Sequence, residues 1–324
     1  MTRYIIRRLL QFIPLLFLIS ILLFTLLQII PGGPTAAYAN NPEITSEDLA
    51  RLEQRLGVNE PLPVQYGKWL GNVLRGDWGY STVTQRPVLR EIADRLPNTL
   101  YLMGVAFVVA LLIAIPIGLI AALRQYSLFD TVTTTIAFAG QSIPIFWLGL
   151  VLIIVFHATL TNPLTGAPLL PGDGMSTLGA PFSIGDYLAH LILPVTMLAL
   201  YQTAQLTRFM RASMLDVIHQ DFIRTARAKG LKERAIVIGH AFKNAALPLV
   251  TILALELPGL FNGAVFTETI FSWPGMGRLF IERAFLSDYP VLMAILMMNA
   301  ALILFFNLVA DVAYARIDPR IRYA

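Results

Sequence analysis

The stretch Asp221-Phe-Ile-Arg-Thr-Ala-Arg-Ala-Lys-Gly230, followed by Ala245-Ala-Leu-Pro248, sets a basic, small-residue segment between two long apolar runs. Ala226, Ala228 and Ala235 favour helix, and Gly230 allows the chain to turn and begin a second short helix. The plainer reading is a solvated basic loop. The sharper one is a docking element whose small side chains let a soluble partner come close. What flanks the segment is decided by composition.

The chain is 56% hydrophobic and 14% charged, with mean hydropathy +0.66. Soluble domains carry about 25% charged residues. Six apolar runs reach the length of about 20 residues that one bilayer crossing needs: 9–30, 98–122, 131–157, 187–207, 244–266 and 290–314. Each must satisfy its own backbone in lipid, so each is expected to be a helix. Pro116, Pro144, Pro194 and Pro258 predict local kinks. The first run is longer than the roughly 7–15 residues of a signal-peptide core, so a retained first helix is expected.

Lys and Arg set the orientation. With the N-terminus inside, Arg3, Arg7, Arg8, Arg124, the basic residues from Arg208 to Lys243, and Arg316, Arg320 and Arg322 all lie inside. Outside, the short loops hold only Arg278 and Arg283; the rest sit in the long segment 31–97, which crosses largely regardless of charge. Both termini are therefore expected in the cytoplasm. The net charge of +4 reflects this topology, and basic residues scattered over loops do not point to nucleic acid. With no cysteine there is no disulfide framework or thiol chemistry.

The expected organisation is residues 1–30 as N-terminus and first span, 31–97 as a small helical outer cap, and 98–324 as a core holding spans two to six and the inner loop 208–243. In the cap, Thr45-Ser-Glu-Asp48 reads as a helix start and Gly57 as its end. Pro63 opens a second helix with Val64, Trp69, Leu70, Val73 and Leu74 on one face, Gly76-Asp-Trp-Gly79 is a turn, and Pro87–Leu96 is a third short helix. The Gly- and Pro-rich segment 159–186 is compatible with an ordered or a flexible loop.

No phosphate-binding loop, zinc-protease motif or nucleophile elbow is present, so an ATPase or hydrolase site within the chain is not expected. His157, His190, His219 and His240 are far apart, and no metal site is expected. Polar residues inside the spans are functional candidates by default. Gln202 and Gln205 share a face, as do Asn299, Asn307 and Asp311; Glu256 and Asn262 lie in the fifth run, where Gly259 and Gly263 allow close helix contact. Asp311, near the inner surface, reads as structural. Interhelical hydrogen bonding is the competing role for the others.

These residues resemble the permease subunit of the dipeptide/oligopeptide/nickel group of ABC importers, over nearly the whole chain. Importer permeases share an inner Glu-Ala-Ala loop followed by a glycine; here Arg224-Thr225-Ala226 takes that position, Gly230 is the glycine, and Leu247-Pro248 the closing pair. Arg224 stands where the family has glutamate, and Asp221, one turn earlier, offers a carboxylate instead. Gly76-Asp-Trp-Gly-Tyr-Ser81, Thr267-Glu-Thr-Ile-Phe-Ser-Trp-Pro-Gly-Met-Gly277, Asp288-Tyr-Pro290 and Asp318-Pro-Arg-Ile-Arg-Tyr323 are further family-like stretches. The resemblance implies an all-α membrane protein of the type I importer permease fold with six transmembrane helices. It implies a second homologous permease, two ATPases that hold ATP and magnesium, and an outer peptide-binding protein. Asp221, Arg224, Thr225, Ala226, Ala228, Gly230, Leu247 and Pro248 would form the coupling loop; Gln202, Gln205, Glu256, Asn262 and Asn299 would line the path. Nickel chelates or glutathione are alternative cargoes. An ion-driven carrier using Glu256 and Asp311, or a non-transporting scaffold, are the rival classes.

Overall fold

The computed structural model describes residues 2–29, 60–163, 165–181, 183–256, 259 and 264–317. The elements are helical: α1 (Thr2–Ile29), α2 (Leu62–Leu74), α3 (Val88–Leu123), α4 (Leu128–Ser142), α5 (Ile145–Ile153), α6 (Ile184–Ile218), α7 (Asp221–Ala228), α8 (Glu233–Ala235), α9 (Lys243–Glu256), α10 (Val265–Ile270), α11 (Met276–Phe285) and α12 (Tyr289–Ile317). π-helical turns extend α5 over Ile154–Thr159 and join α8 to α9 over Ile236–Phe242. Among the described residues the only β pairing is two isolated bridges, Tyr80 with Pro87 and Thr161 with Pro168.

Four helical segments are long and apolar enough to cross a membrane: Ile6–Ile29, Val88–Leu123, Ile184–Ile218 and Tyr289–Val309. The pair Leu128–Ser142 and Ile145–Thr159, bent by 97°, together reach the same length and apolarity as a fifth candidate. The remaining expected span is helical from Lys243 to Glu256 and then passes into residues outside those described, which include Pro258, Asn262 and Gly263. The expected cap helix at 45–57 and the terminal stretch 318–323 also lie outside the described residues.

The bend is sharper than the kink expected at Pro144. Proline cannot donate a backbone hydrogen bond and pushes the residue before it out of the helical region; Ile143 is accordingly extended (φ −80°, ψ 126°). Pro116 and Pro194, by contrast, lie inside the unbroken α3 and α6. The expected short helix at 87–96 is likewise the first part of α3, which runs on through Pro97 for 36 residues.

α3 and α6 form the centre. Ala106, Ala110, Ala114, Gly118 and Ala122 recur every four residues on α3, which places them on one face. All are buried, and small residues on such a face let helix backbones approach closely in lipid. A Cβ at Gly118 would stand 2.7 Å from both the carbonyl oxygen of Thr207 and Cβ of Met210, so α6 leaves room only for glycine there. α1 lies at the margin, with most of its apolar surface unburied, and is tied to the far end of the chain by Arg8 and Asp311 at 3.2 Å. That pair gives Asp311 the structural role its position indicated. Within 31–97, α2 starts next to Pro61 and packs Tyr66 and Trp69 edge-on and tilted against Phe17 and Phe24 of α1. In the described part of 159–186, Leu170 N–H donates to Phe156 O, Gly174 N–H to Phe271 O, and Thr177 to Asp186.

Candidate functional site

Residues 221–249 are rooted in the same core as the spans. Ile223, Ala226, Ile236, Ala241, Ala245 and Leu249 are buried in one apolar cluster with Ala114 of α3 and Met210, Met214 and Val217 of α6. Burying a side chain such as Ile223 stabilises by about 2 kcal/mol, so α7 is held firmly against the ends of the spans. Spacing decides which side is held: Ile223 and Ala226 face inward, and Asp221, Phe222, Arg224, Thr225 and Ala228 face outward.

The turn after α7 is closed by its backbone. Gly230 has φ +76°, in the left-handed region. Its N–H donates to Arg227 O at 2.9 Å and Leu231 N–H reaches Ala226 O at 3.4 Å, the two bonds of a Schellman termination. Arg227 and Glu233 then pair at 2.7 Å across the turn. The Arg227 guanidinium holds the Glu233 carboxyl below its ordinary range, and Glu233 raises Arg227 in return. Asp221 and Arg224 are both strongly exposed and only 3.8 Å apart. Pro248 lies exposed in α9, beside Leu247.

The loop is shorter than 208–243. α6 continues to Ile218, so Arg208 and Arg211 are helical residues packed against α4. Arg211 forms a two-pronged pair with Asp130, with Nε to Oδ1 at 2.5 Å and Nη2 to Oδ2 at 2.8 Å. Arg208 donates to Gln141 Oε1 and lies over the Phe138 ring, 4.7 Å from its centre.

Of the path candidates, Gln202 and Gln205 come together: with Phe107 and Leu206 they line a small cavity of about 20 Å³. Oε1 of Gln202 and Oδ1 of Asn299 are buried without a hydrogen-bond partner. Asn299 is on α12 and does not line that cavity. Glu256 closes α9, and Asn262 lies outside the described residues.

Three of the other family-like stretches, at 76–81, 267–277 and 288–290, meet at the end of α3 away from the α7 turn. Glu268 is fully buried and accepts from Thr99 Oγ1 at 2.7 Å and Arg278 N–H at 3.0 Å. Met276 N–H donates to Thr99 Oγ1, Trp273 Nε1 to Asn98 O, and Asn98 Nδ2 to Pro274 O. The segment 267–277 is thereby stapled to the first turns of α3. Beside it Asp288 accepts from Ser81 Oγ at 2.5 Å and Thr82 N–H at 3.0 Å, and Arg283 bridges Asp288 to Glu91. Sequence reading quoted the stretches holding Glu268 and Asp288 without giving either residue a role.

Comparison with known proteins matches residues 114–323 to the binding-protein-dependent transport system inner membrane component family, and residues 1–103 to the N-terminal part of such components. The chain belongs to this family, and is a membrane permease subunit of an ABC importer. It is 46% identical over 324 residues to the oligopeptide transport system permease protein AppB of Bacillus subtilis, covering 100% of both chains. It is 38% identical over 340 residues to the dipeptide permease DppB of Escherichia coli, covering 100% of this chain and 99% of that one. It is also 38% identical over 323 residues to the glutathione permease GsiC of Escherichia coli, covering 100% of both.

Proposed function

We propose that this subunit carries di- and oligopeptides inward across the cytoplasmic membrane, beside a second homologous permease, driven by two ATPases that bind and hydrolyse ATP and fed by an outer peptide-binding protein. The observation that carries the reading is the construction of 221–249. One side of the segment is buried with the two central spans, and the other offers Asp221, Phe222, Arg224, Thr225 and Ala228 to a partner. A displacement imposed on that outer side passes into α3 and α6, because packed cores transmit strain. Both chain ends and this loop then face the cytoplasm, and Asp221 serves in place of the missing glutamate. Gln202, Gln205 and Asn299 supply polar groups to the path, with Glu256 and Asn262 as further members. Names of the relatives support peptide cargo, and the glutathione relative supports glutathione as the alternative.

The chain has no cysteine, so Ala228→Cys creates a unique thiol. Purification of the tagged chain with its operon partners in mild detergent, followed by thiol crosslinking, is expected to recover a second permease and P-loop ATPases, with the crosslink on an ATPase. Recovery of the chain alone at every detergent strength would overturn the reading.

A further inference from the structure

Of the two cations on the inner half of α6, one is satisfied and one is not. Arg211 has its carboxylate, Asp130, bound at two points. Arg208, one turn earlier, has only neutral company: the Gln141 amide oxygen and the Phe138 ring. Its Nε is buried with no hydrogen-bond partner, and among the described residues no carboxylate lies within ion-pair distance. A guanidinium stays charged at any physiological pH and is costly to hold away from water without an anion.

Gln141 lies near the end of α4, just before the α4–α5 break at Pro144. Arg208 also lies one turn from Gln205 on the same side of α6, next to the α4–α5 break at Pro144. Phe138, beneath its guanidinium, and Ser142, next to Gln141 in sequence, are exposed in this chain.

We infer that Arg208 is a specificity-determining residue that receives the free carboxylate of the peptide cargo as it passes the α4–α5 joint. The inference rests on the peptide-importer reading above. A carboxylate there would replace neutral contacts by a charge-assisted pair, and Arg suits it better than Lys because its planar fork bonds two oxygens at once.

The test uses the complete complex in proteoliposomes with labelled peptides and their C-terminal amides, each rate expressed as a ratio to wild type. Arg208→Gln is expected to slow uptake of the acid by about tenfold or more, from the loss of one bond to a charged group, and to change the amide less than twofold. Gln141→Glu, which supplies Arg208 with an internal carboxylate, is expected to give the same acid-selective loss. Arg208→Lys is expected to recover part of it. Equal rates for the acid in wild type and either Arg208→Gln or Gln141→Glu would overturn the inference, as would an equal fall for acid and amide, which marks a purely structural role. Binding of the acid that is lost only in anionic-lipid-free vesicles would point to lipid phosphate and also overturn it. If the wild-type complex hydrolyses ATP but moves no peptide, the peptide reading itself fails.

Discussion

Gly230→Ala isolates the conformational part of the loop's role. At φ +76° an L-residue meets the left-handed penalty of about 1–2 kcal/mol. No atom lies within 4 Å of the Cβ that alanine would add, so steric crowding contributes nothing. The strain has one outlet, rotation of residue 230 to negative φ. That rotation breaks the bonds to Arg227 O and Ala226 O and pulls Arg227 from Glu233, while Ile223 and Ile236 stay anchored on either side. The wild-type turn should therefore be depopulated by about 5- to 30-fold, with the spans intact. Gly230→Asn is the control, since asparagine visits this region with less strain. The assay is binding-protein-stimulated ATPase activity and uptake by the reconstituted complex. Alanine is expected to lower stimulated activity while leaving basal hydrolysis unchanged and lowering the unfolding temperature by no more than a few degrees, and asparagine to retain most of the stimulated activity. Alanine behaving as wild type, or asparagine failing as badly as alanine, would refute the argument from backbone conformation.

Gly118→Ala should part α3 from α6, because the obstructing Thr207 oxygen is backbone and cannot rotate away; a loss of about 1–3 kcal/mol is expected, read as a lowered unfolding temperature in detergent. The Arg227–Glu233 pair gives a pH dependence with a definite sign. Glu233 is lowered in the folded chain, so its contribution is present above the unfolded carboxylate pKa and fades as pH falls through the folded value. The pair is half-exposed, so the effect should stay below about 1 kcal/mol; protease protection of the 221–249 segment between pH 7 and pH 3 should decline in wild type and be flat in Glu233→Gln.

Local signals carried the reading where structure is local. The apolar runs, the turn at 76–79, the Gly230 break and the start of the cap helix near Pro63 all depend on residues a few positions apart. The severity of the Pro144 break did not follow, since Pro116 and Pro194 sit in equally apolar runs and stay helical. Only the packing around each proline distinguishes them. Arg208 and Arg211 were assigned to the inner loop because cations usually mark a span's end, whereas the partners that draw them inward, Gln141 and Asp130, are 67 and 81 positions away. Glu268 with Thr99, and Arg283 with Glu91, are separated by 169 and 192 positions. One sequence carries no record of such pairings. It could name the stretches that contain them, but not the bonds.

The staples between 267–277 and the first turns of α3 have a mechanical consequence. α3 spans about 54 Å if straight, at 1.5 Å for each of its 36 residues. About a third of the way along, at Asn98 and Thr99, it is fastened to α10 and the segment leading into α11 through Glu268 and Trp273, and its C-terminal part shares a core with α7 and α9. Those parts form one beam. Tilting about its middle, a push at the C-terminal end would appear as a smaller swing of opposite sense at the fastened segment, with little lost to compression in between. The same fastening makes the reverse action available: a protein that presses on the 267–277 segment would be felt at Arg224, toward the other end of the beam.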